Sequence, residues 1–228
     1  MNSGNRQTPS LELWLQDVQS YLFKVMHAPM KQAGFEFRKS SFSFQRKNKK
    51  NQDIISIIFL SQFPVSYRVG FQLEIWNPQI KEIKKSFMGE IIHKDSDLCS
   101  IILFTKDFTT KDPETKTMKD FLIYNYRDLF ITGDWLVQTM QNELIPICDT
   151  LDSIETMDHF FESNPDWSLD SHSGGNICTD LIVSKLNFRR DVHARFQQLM
   201  QGLQHKIENR MISPESRQLL TLCYDTIK

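Results

Sequence analysis

Residues 66–76 read SYRVGFQLEIW, and apolar and polar side chains alternate along this segment. A period of two is typical of a β-strand that packs one face on a core. The predicted inner face consists of Tyr67, Val69, Phe71, Leu73 and Ile75. The predicted outer face carries Arg68, Gln72, Glu74 and Trp76.

The segments on either side of this strand predict a hairpin, another strand and a helix. Phe35 and Phe37 alternate with polar residues, as do Phe42 and Phe44, so a turn at 39–40 would set Phe37 opposite Phe42 and Phe35 opposite Phe44. This turn lacks glycine and asparagine, so a longer loop is the alternative. Residues 54–63, IISIIFLSQF, predict a central strand covered on both faces. A helix is predicted from about Pro78 to Gly89, with these residues facing inward: Ile80, Ile83 and Phe87.

An amphipathic helix is predicted before the hairpin. Ser10 is its expected N-cap, Pro29 is expected to end or kink it, and Gly34 closes the segment. Its apolar stripe consists of Leu11, Trp14, Leu15, Val18, Leu22, Val25 and Met26. Residues 1–10 are polar and predict a disordered tail.

Downstream, two short strands precede a long helical region. Strands are predicted at 100–108 and 120–126, and helices from Gly133 onward, with Pro146 disturbing the first of them. Ser153 and Thr156 are cap candidates for a helix at 153–162, 164–175 is a predicted loop, and Asn176 is the expected cap of the next helix. Helices at 190–210 and 214–226 complete the chain.

This segregation of strands and helices predicts an α+β fold. We expect an antiparallel sheet of about six strands, packed with an N-terminal helix and a C-terminal group of helices. Residues 11–228 are predicted to form one domain, and a helical subdomain at 133–228 is the alternative.

Composition and charge exclude several classes of protein. The 228 residues are 40% hydrophobic and 24% charged, unlike a disordered or fibrous chain. The net charge of −1 disfavours nucleic acid as a partner, since such binders usually carry a basic domain. The sequence has no apolar run of membrane-spanning length, and the N-terminus lacks the apolar segment of a secretory signal. The four cysteines lie in apolar stretches and form no Cys-x-x-Cys pair, which predicts structural thiols in a reducing cytoplasm.

The sequence shows no recognisable catalytic or metal-binding motif. None of the six histidines has the His-x-x-x-His spacing of two metal ligands, and no Gly-x-Ser-x-Gly elbow is present. No metal or other cofactor is therefore predicted. The loop from Asp170 to Asn176 contains two glycines before a helix and is interpreted as a flexible loop with a capping asparagine.

Two surfaces are candidate binding sites. The first is the outer strand face with Arg68, Gln72, Glu74 and Trp76, because tryptophan and arginine are favoured binding anchors. A helix covering this face is the alternative. The second is a basic patch at a hairpin tip, formed by Arg46, Lys47, Lys49 and Lys50. Solvated charges that bind nothing are the alternative for this patch.

Several short segments between residues 29 and 83 carry a family resemblance. They are MKQAGF at 30–35, Arg38, the pattern Phe42-x-Phe44-x-Arg46, LSQ at 60–62 and VGFQLE at 69–74. This stretch resembles an uncharacterised bacterial family known only as a domain of unknown function. Members of such families recur beside toxin genes, so the resemblance implies an immunity-type or other protein-binding role. It supplies no catalytic residues.

These observations predict a non-enzymatic protein-binding module, with an immunity-type factor as its specific form. One alternative is an enzyme or small-ligand-binding protein whose site gathers distant residues, such as His172 and Asp170 with a carboxylate or arginine from elsewhere. A second alternative is nucleic-acid binding through residues 46–50. No membrane partner is expected, and the sequence predicts no oligomeric state.

Overall fold

The computed structural model of the protein describes residues 14–48, 50–62, 66–88, 98–104, 122–169, 175–188, 191–209 and 212–228. The strands are β1 (Glu36–Arg38), β2 (Ser43–Lys47), β3 (Gln52–Gln62), β4 (Ser66–Trp76), β5 (Ile101–Phe104) and β6 (Leu122–Ile123). The helices are α1 (Leu15–Gln32), α2 (Pro78–Met88), α3 (Tyr126–Thr139), α4 (Ile145–Thr150), α5 (Ile154–Ser163), α6 (Pro165–Leu169), α7 (Gly175–Asn187), α8 (Val192–Glu208) and α9 (Glu215–Ile227). The predicted α+β fold with a six-stranded antiparallel sheet is confirmed.

Strand β4 lies inside the sheet, between β3 and the edge strands β5 and β6. The order is β1-β2-β3-β4-β5, and β6 pairs with the same edge of β4 as β5, farther along the strand. The alternation predicted for β4 is confirmed, because Val69, Phe71, Leu73 and Ile75 are buried while the intervening residues are half-buried. The sheet therefore has one core face and one outer face.

Helices α1 and α3 contribute to the core on the buried face of the sheet. Four residues of α1 at helical spacing are fully buried: Val18, Leu22, Met26 and Met30. Helix α3 packs against α1, and its Trp135 stacks on Phe71 with ring centroids 6.0 Å apart. Burial of such a continuous apolar surface is the dominant stabilising term in a fold of this size.

Strand β3 has one buried face, so the prediction that both of its faces are covered is wrong. Asp53, Ile55 and Ile57 are buried, whereas Ile54 and Ile58 are half-buried. The isoleucines on the second face share it with the polar row of β4, because Ile54 pairs with Glu74 across the strands.

The predicted register of the first hairpin is also wrong. Phe37 pairs with Phe44, and Arg38 pairs with Ser43, so the connection takes four residues, as the longer-loop alternative allowed. Phe42 lies in this loop with φ +45°, in the left-handed region. Its ring packs against Phe37 and Phe59, at centroid distances of 5.2 and 5.0 Å, which gives this backbone conformation local packing support.

Helix α1 begins at Leu15, four residues after the predicted start, and runs through Pro29 to Gln32. The helix therefore does not end at Pro29, and a kink at Pro29 stays a prediction. Buried Met26 and Met30 on either side hold the helix on the core, which outweighs the missing proline N–H. Gly34, at φ +82°, closes the segment as predicted. The predicted tail at 1–10 and the Ser10 cap lie outside the described residues.

Helix α2 buries a lysine that the sequence pattern did not single out. Its buried residues are Ile80, Lys84 and Met88, while the predicted Ile83 and Phe87 are half-buried. The Lys84 ammonium group donates to the carbonyl oxygen of Cys99, so its charge lies in the interior against a backbone dipole.

The helical region begins earlier than predicted. Helix α3 begins at Tyr126, seven residues before Gly133, where Asn125 caps it by accepting a hydrogen bond from the Asp128 N–H at 3.1 Å. Strand β6 therefore ends at Ile123, before the predicted end at 126. A π-helical turn at Met140–Leu144 leads into α4, where Pro146 has no N–H to donate, so the predicted disturbance is present. The predicted Ser153 cap is confirmed and forms a capping box with Thr156.

Helix α6 occupies part of the predicted loop at 164–175, and Asn176 lies inside α7 and does not cap it. The Asn176 side chain accepts from the Ile102 N–H at 2.9 Å and donates to the Ile102 carbonyl oxygen at 2.8 Å. The amide thus pairs with both backbone groups that β5 presents there, away from β4. The four cysteines are buried and free, as predicted.

Candidate binding surface

Three of the four predicted outer-face residues form one hydrogen-bonded cluster. The Glu74 carboxylate accepts from Gln72 Nε2 at 2.5 Å and from Trp76 Nε1 at 2.9 Å. The ammonium group of Lys81, in the first turn of α2, lies 5.1 Å from the centroid of the Trp76 ring. We call these four residues the Trp76 surface. One carboxylate therefore fixes an amide and an indole side by side.

Arg68 lies on the same face of β4 but away from this cluster. It is eight residues from Trp76, which corresponds to roughly 26 Å along an extended strand. It lies where β4 pairs with β6, opposite Leu122. The predicted row is thus real as a face, but Arg68 is not part of the Trp76 surface.

The predicted basic patch is divided by the structure. Lys47 and Lys50 are exposed at the β2–β3 turn, and Lys49 lies outside the described residues. The turn is closed by Asn48, whose Oδ1 accepts from the backbone N–H groups of Lys50 and Asn51 at 2.9 and 2.6 Å. Arg46 lies on the core face of β2 and belongs to the interior.

Arg46 joins several parts of the fold through its guanidinium group. Its Nε and Nη2 donate to Asp53 Oδ2 at 3.0 and 2.9 Å, and its Nη1 donates to Asp149 Oδ1 at 2.7 Å and to the Ala33 carbonyl oxygen at 3.2 Å. The group also lies 4.6 Å from the Phe35 ring centroid. Including Arg46 in an exposed basic patch is therefore not supported by its position, since its side chain is only 16% exposed.

The electrostatics of this network follow from burial. The Asp53 side chain is fully buried, and its Oδ1 has no hydrogen-bond partner among the described residues. Burial raises the pKa of Asp53 above its ordinary value, and Arg46 offsets only part of that rise. Burial lowers the pKa of Arg46, but its hydrogen bonds to Asp149 and Asp53 outweigh this and hold that pKa above the ordinary arginine value.

A cavity of about 270 Å³ brings the two predicted surfaces together. It lies where the β2–β3 turn meets the end of β4 and the start of α2, and Lys47, Lys50, Trp76 and Lys81 all contribute to its lining. Neither the place of Lys81 in this cavity nor the proximity of the two predicted surfaces was predicted from the sequence. The segment Trp76-Asn77-Pro78 could have indicated the position of Lys81. Proline at the first helical position predicts that α2 starts directly after β4, so its first turn lies near the last residues of the strand.

The two residues named for an alternative enzyme or small-ligand site, Asp170 and His172, lie outside the described residues. Among the residues that the structure describes, no group of three or more His, Cys, Asp or Glu is placed to hold a metal ion. In the same ranges, no helix combines the length and apolar character needed to cross a membrane.

No family model, curated protein or solved structure matches this chain. The resemblance to a bacterial family of unknown function therefore stays a prediction. The geometry of the Trp76 surface is the remaining basis for proposing a function.

Proposed function

We propose that the protein is a non-enzymatic module that binds another protein through the Trp76 surface. The observation that carries the proposal is the double hydrogen bond to Glu74, which holds Gln72 and Trp76 in fixed positions. Side chains ordered before binding lose less conformational entropy when a partner docks. Tryptophan is also enriched among the residues that dominate interface energies.

The chemistry of this surface supports recognition more than catalysis. Its donors and acceptors are an amide, an indole, a carboxylate and an ammonium group, and the first two each donate a hydrogen bond to the carboxylate. A nucleophile needs an adjacent base to activate it, and the Trp76 surface presents no such pair. A partner would contact the Trp76 ring with the polar groups of Gln72, Glu74 and Lys81 beside it.

The family resemblance extends this proposal to an immunity-type role, in which the bound protein is a toxin. That extension predicts a captured partner that inhibits growth when it is produced alone. Co-production of this protein would restore growth, and co-production of its Trp76→Ala variant would not.

The test is capture of partners from lysate of the source cells, with tagged wild-type protein and two variants. Trp76→Ala removes the anchor, and Tyr124→Ala removes an aromatic residue that is 59% exposed outside this surface. We expect one stoichiometric protein with wild type and Tyr124→Ala that survives high salt and is lost with Trp76→Ala. Thermal unfolding and circular dichroism establish that both variants are folded.

The captured protein is then purified and titrated against each form. Loss of a central anchor predicts binding weaker by about 30-fold in Trp76→Ala, which corresponds to about 2 kcal/mol. Glu74→Gln, which keeps the side-chain size but removes the charge, should weaken binding in the same direction. An empty wild-type bait, or a partner held equally by Trp76→Ala, would overturn the proposal.

A further inference from the structure

The cavity beside the Trp76 surface has an excess of positive charge. Three of its described lining residues are lysines, and Glu82 is the one carboxylate among them. Glu82 already pairs with Lys85 at 2.9 Å. Because the whole chain has a net charge of −1, this excess is local to the cavity and is not a property of the chain as a whole.

The amide groups that shape the cavity are engaged within the protein. Asn51 Nδ2 donates to the Leu151 carbonyl oxygen at 2.6 Å, and Asn77 Nδ2 donates to Asn51 Oδ1 at 3.0 Å. Asn77 Oδ1 in turn accepts from the backbone N–H groups of Gln79 and Ile80, so Asn77 caps the N-terminus of α2. These bonds hold the Asn51 and Asn77 side chains in place. The exposed ammonium groups of Lys47 and Lys50 are then the groups that attract a ligand.

The lining of the cavity favours charged groups over an apolar ligand. Small-molecule clefts are mostly lined by apolar side chains, whereas the described lining here includes three lysines and four amide side chains. Lysine offers a compact point charge on a flexible stem, which attracts a carboxylate without fixing its orientation.

A protein partner explains this cavity better than nucleic acid does. Trp76 and Lys81 belong both to the cavity and to the Trp76 surface, so a protein docked on that surface would extend directly into the cavity. The net charge of −1 also disfavours nucleic acid, because proteins that bind it usually carry a basic domain.

We infer that the lysine-lined cavity receives the carboxylates of an acidic segment of the protein partner. This inference rests on the proposed function and specifies the chemistry of the partner. It assigns Lys47 and Lys50 as the residues that recognise the segment, and Trp76 as the neighbouring anchor.

The experiment titrates the full chain with N-acetylated, C-amidated hexaglutamate by calorimetry at low and at high salt. The test variant is Lys47→Glu/Lys50→Glu. The matched control is Lys24→Glu/Lys31→Glu, which reverses two exposed lysines of α1 and gives the same change in net charge. Hexaglutamine, inorganic phosphate and a thymidine oligonucleotide are titrated in parallel.

We expect hexaglutamate to bind wild type and control with equal affinity, and to bind Lys47→Glu/Lys50→Glu at least tenfold more weakly. Binding should weaken at high salt, and hexaglutamine should not bind. Absence of hexaglutamate binding, or equal binding to the test variant, would overturn the inference. Tighter binding of phosphate or of the oligonucleotide would overturn it in favour of a free anion or a nucleic acid. If a Trp76-dependent partner is captured while hexaglutamate does not bind, the inference fails and the proposed function survives.

Discussion

At the scale of single residues, Arg46 shows how position changes the role of a charge. In sequence it is the first cation of a basic run, Arg46-Lys47-Asn48-Lys49-Lys50. Strand alternation turns it to the core face, where it pairs with Asp53 across β2 and β3. The alternation of Phe42 and Phe44 with polar neighbours was visible in the sequence, but the distant partner Asp149 was not. Sequence patterns locate a strand face, whereas long-range ion pairs depend on tertiary packing.

The raised pKa of Asp53 predicts a measurable pH dependence of stability. In the folded protein Asp53 holds its proton at pH values where the unfolded chain has released it, upward from its ordinary value of 3.8. The folded state then binds more protons, so the Asp53 contribution to stability falls as pH rises through this window. We expect the difference in unfolding free energy between wild type and Asp53→Asn to decrease with a slope below about 1.4 kcal/mol per pH unit.

Urea unfolding of both proteins between pH 4 and pH 7 measures this difference. Asp152→Asn, which removes an exposed carboxylate, controls for the loss of one negative charge. A difference that grows with pH would mean that the Arg46 ion pair outweighs burial at Asp53.

At the scale of elements, local pattern predicted β4 and the start of α2 well and the hairpin poorly. Alternation along 66–76 gave both faces of β4 because Val69, Phe71, Leu73 and Ile75 on one face pack on the core. The hairpin register failed because phenylalanines occur on both sides of the turn and fit two pairings equally well. The ring contacts of Phe42 with Phe37 in β1 and with Phe59 in β3 favour the longer loop, and the contact with β3 is not visible in the hairpin sequence.

Asn176 is an element-scale feature that a local pattern could not supply. A helix N-cap is a local feature, and Asn176 after two glycines fits that pattern. Its actual partners belong to Ile102, 74 residues earlier in the chain. Local pattern was insufficient for the candidate site in the same way. It predicted the polar face of β4, but the proximity of that face to Lys81 and to the β2–β3 turn depends on the tertiary packing of separate elements.

Asn176→Ala is expected to destabilise the protein because it leaves both backbone groups of Ile102 buried without these hydrogen bonds. Each such group costs about 1–3 kcal/mol, so we expect a loss of about 2–4 kcal/mol, with the lower values if water enters. Urea unfolding measures this loss, and Asn142→Ala, at an exposed position, is the matched control. A loss below about 0.5 kcal/mol would show that the amide does not secure the edge of β5.

At the scale of the whole molecule, contacts connect the sheet to the helical region on the C-terminal side of Gly133. Arg46 reaches Asp149, and Asn51 donates to the Leu151 carbonyl oxygen just after α4. Thr179 of α7 donates to the carbonyl oxygen of Ser100, next to β5. Polar bonds of this kind accompany one hydrophobic cluster that includes residues of both regions. The two predictions for the domain organisation can therefore be distinguished by unfolding: a single domain unfolds in one transition, whereas a helical subdomain at 133–228 unfolds separately from the sheet.

We expect both regions to unfold in one transition. In the Trp135→Phe/Trp167→Phe background, fluorescence reports on Trp76 in the sheet, with a small change from the exposed Trp14, while far-ultraviolet circular dichroism reports mainly on the helices. The two urea midpoints should coincide. Adding Asp149→Asn weakens the bridge from Arg46 at an exposed carboxylate and should lower both midpoints equally, by a loss of up to about 1 kcal/mol. Asp152→Asn should leave both unchanged. Separate midpoints, or a shift confined to the helical signal, would instead establish residues 133–228 as a subdomain that unfolds independently of the sheet. A mutation lowers the stability of the whole cooperative unit that contains it, so a destabilisation limited to one signal identifies an independent unit.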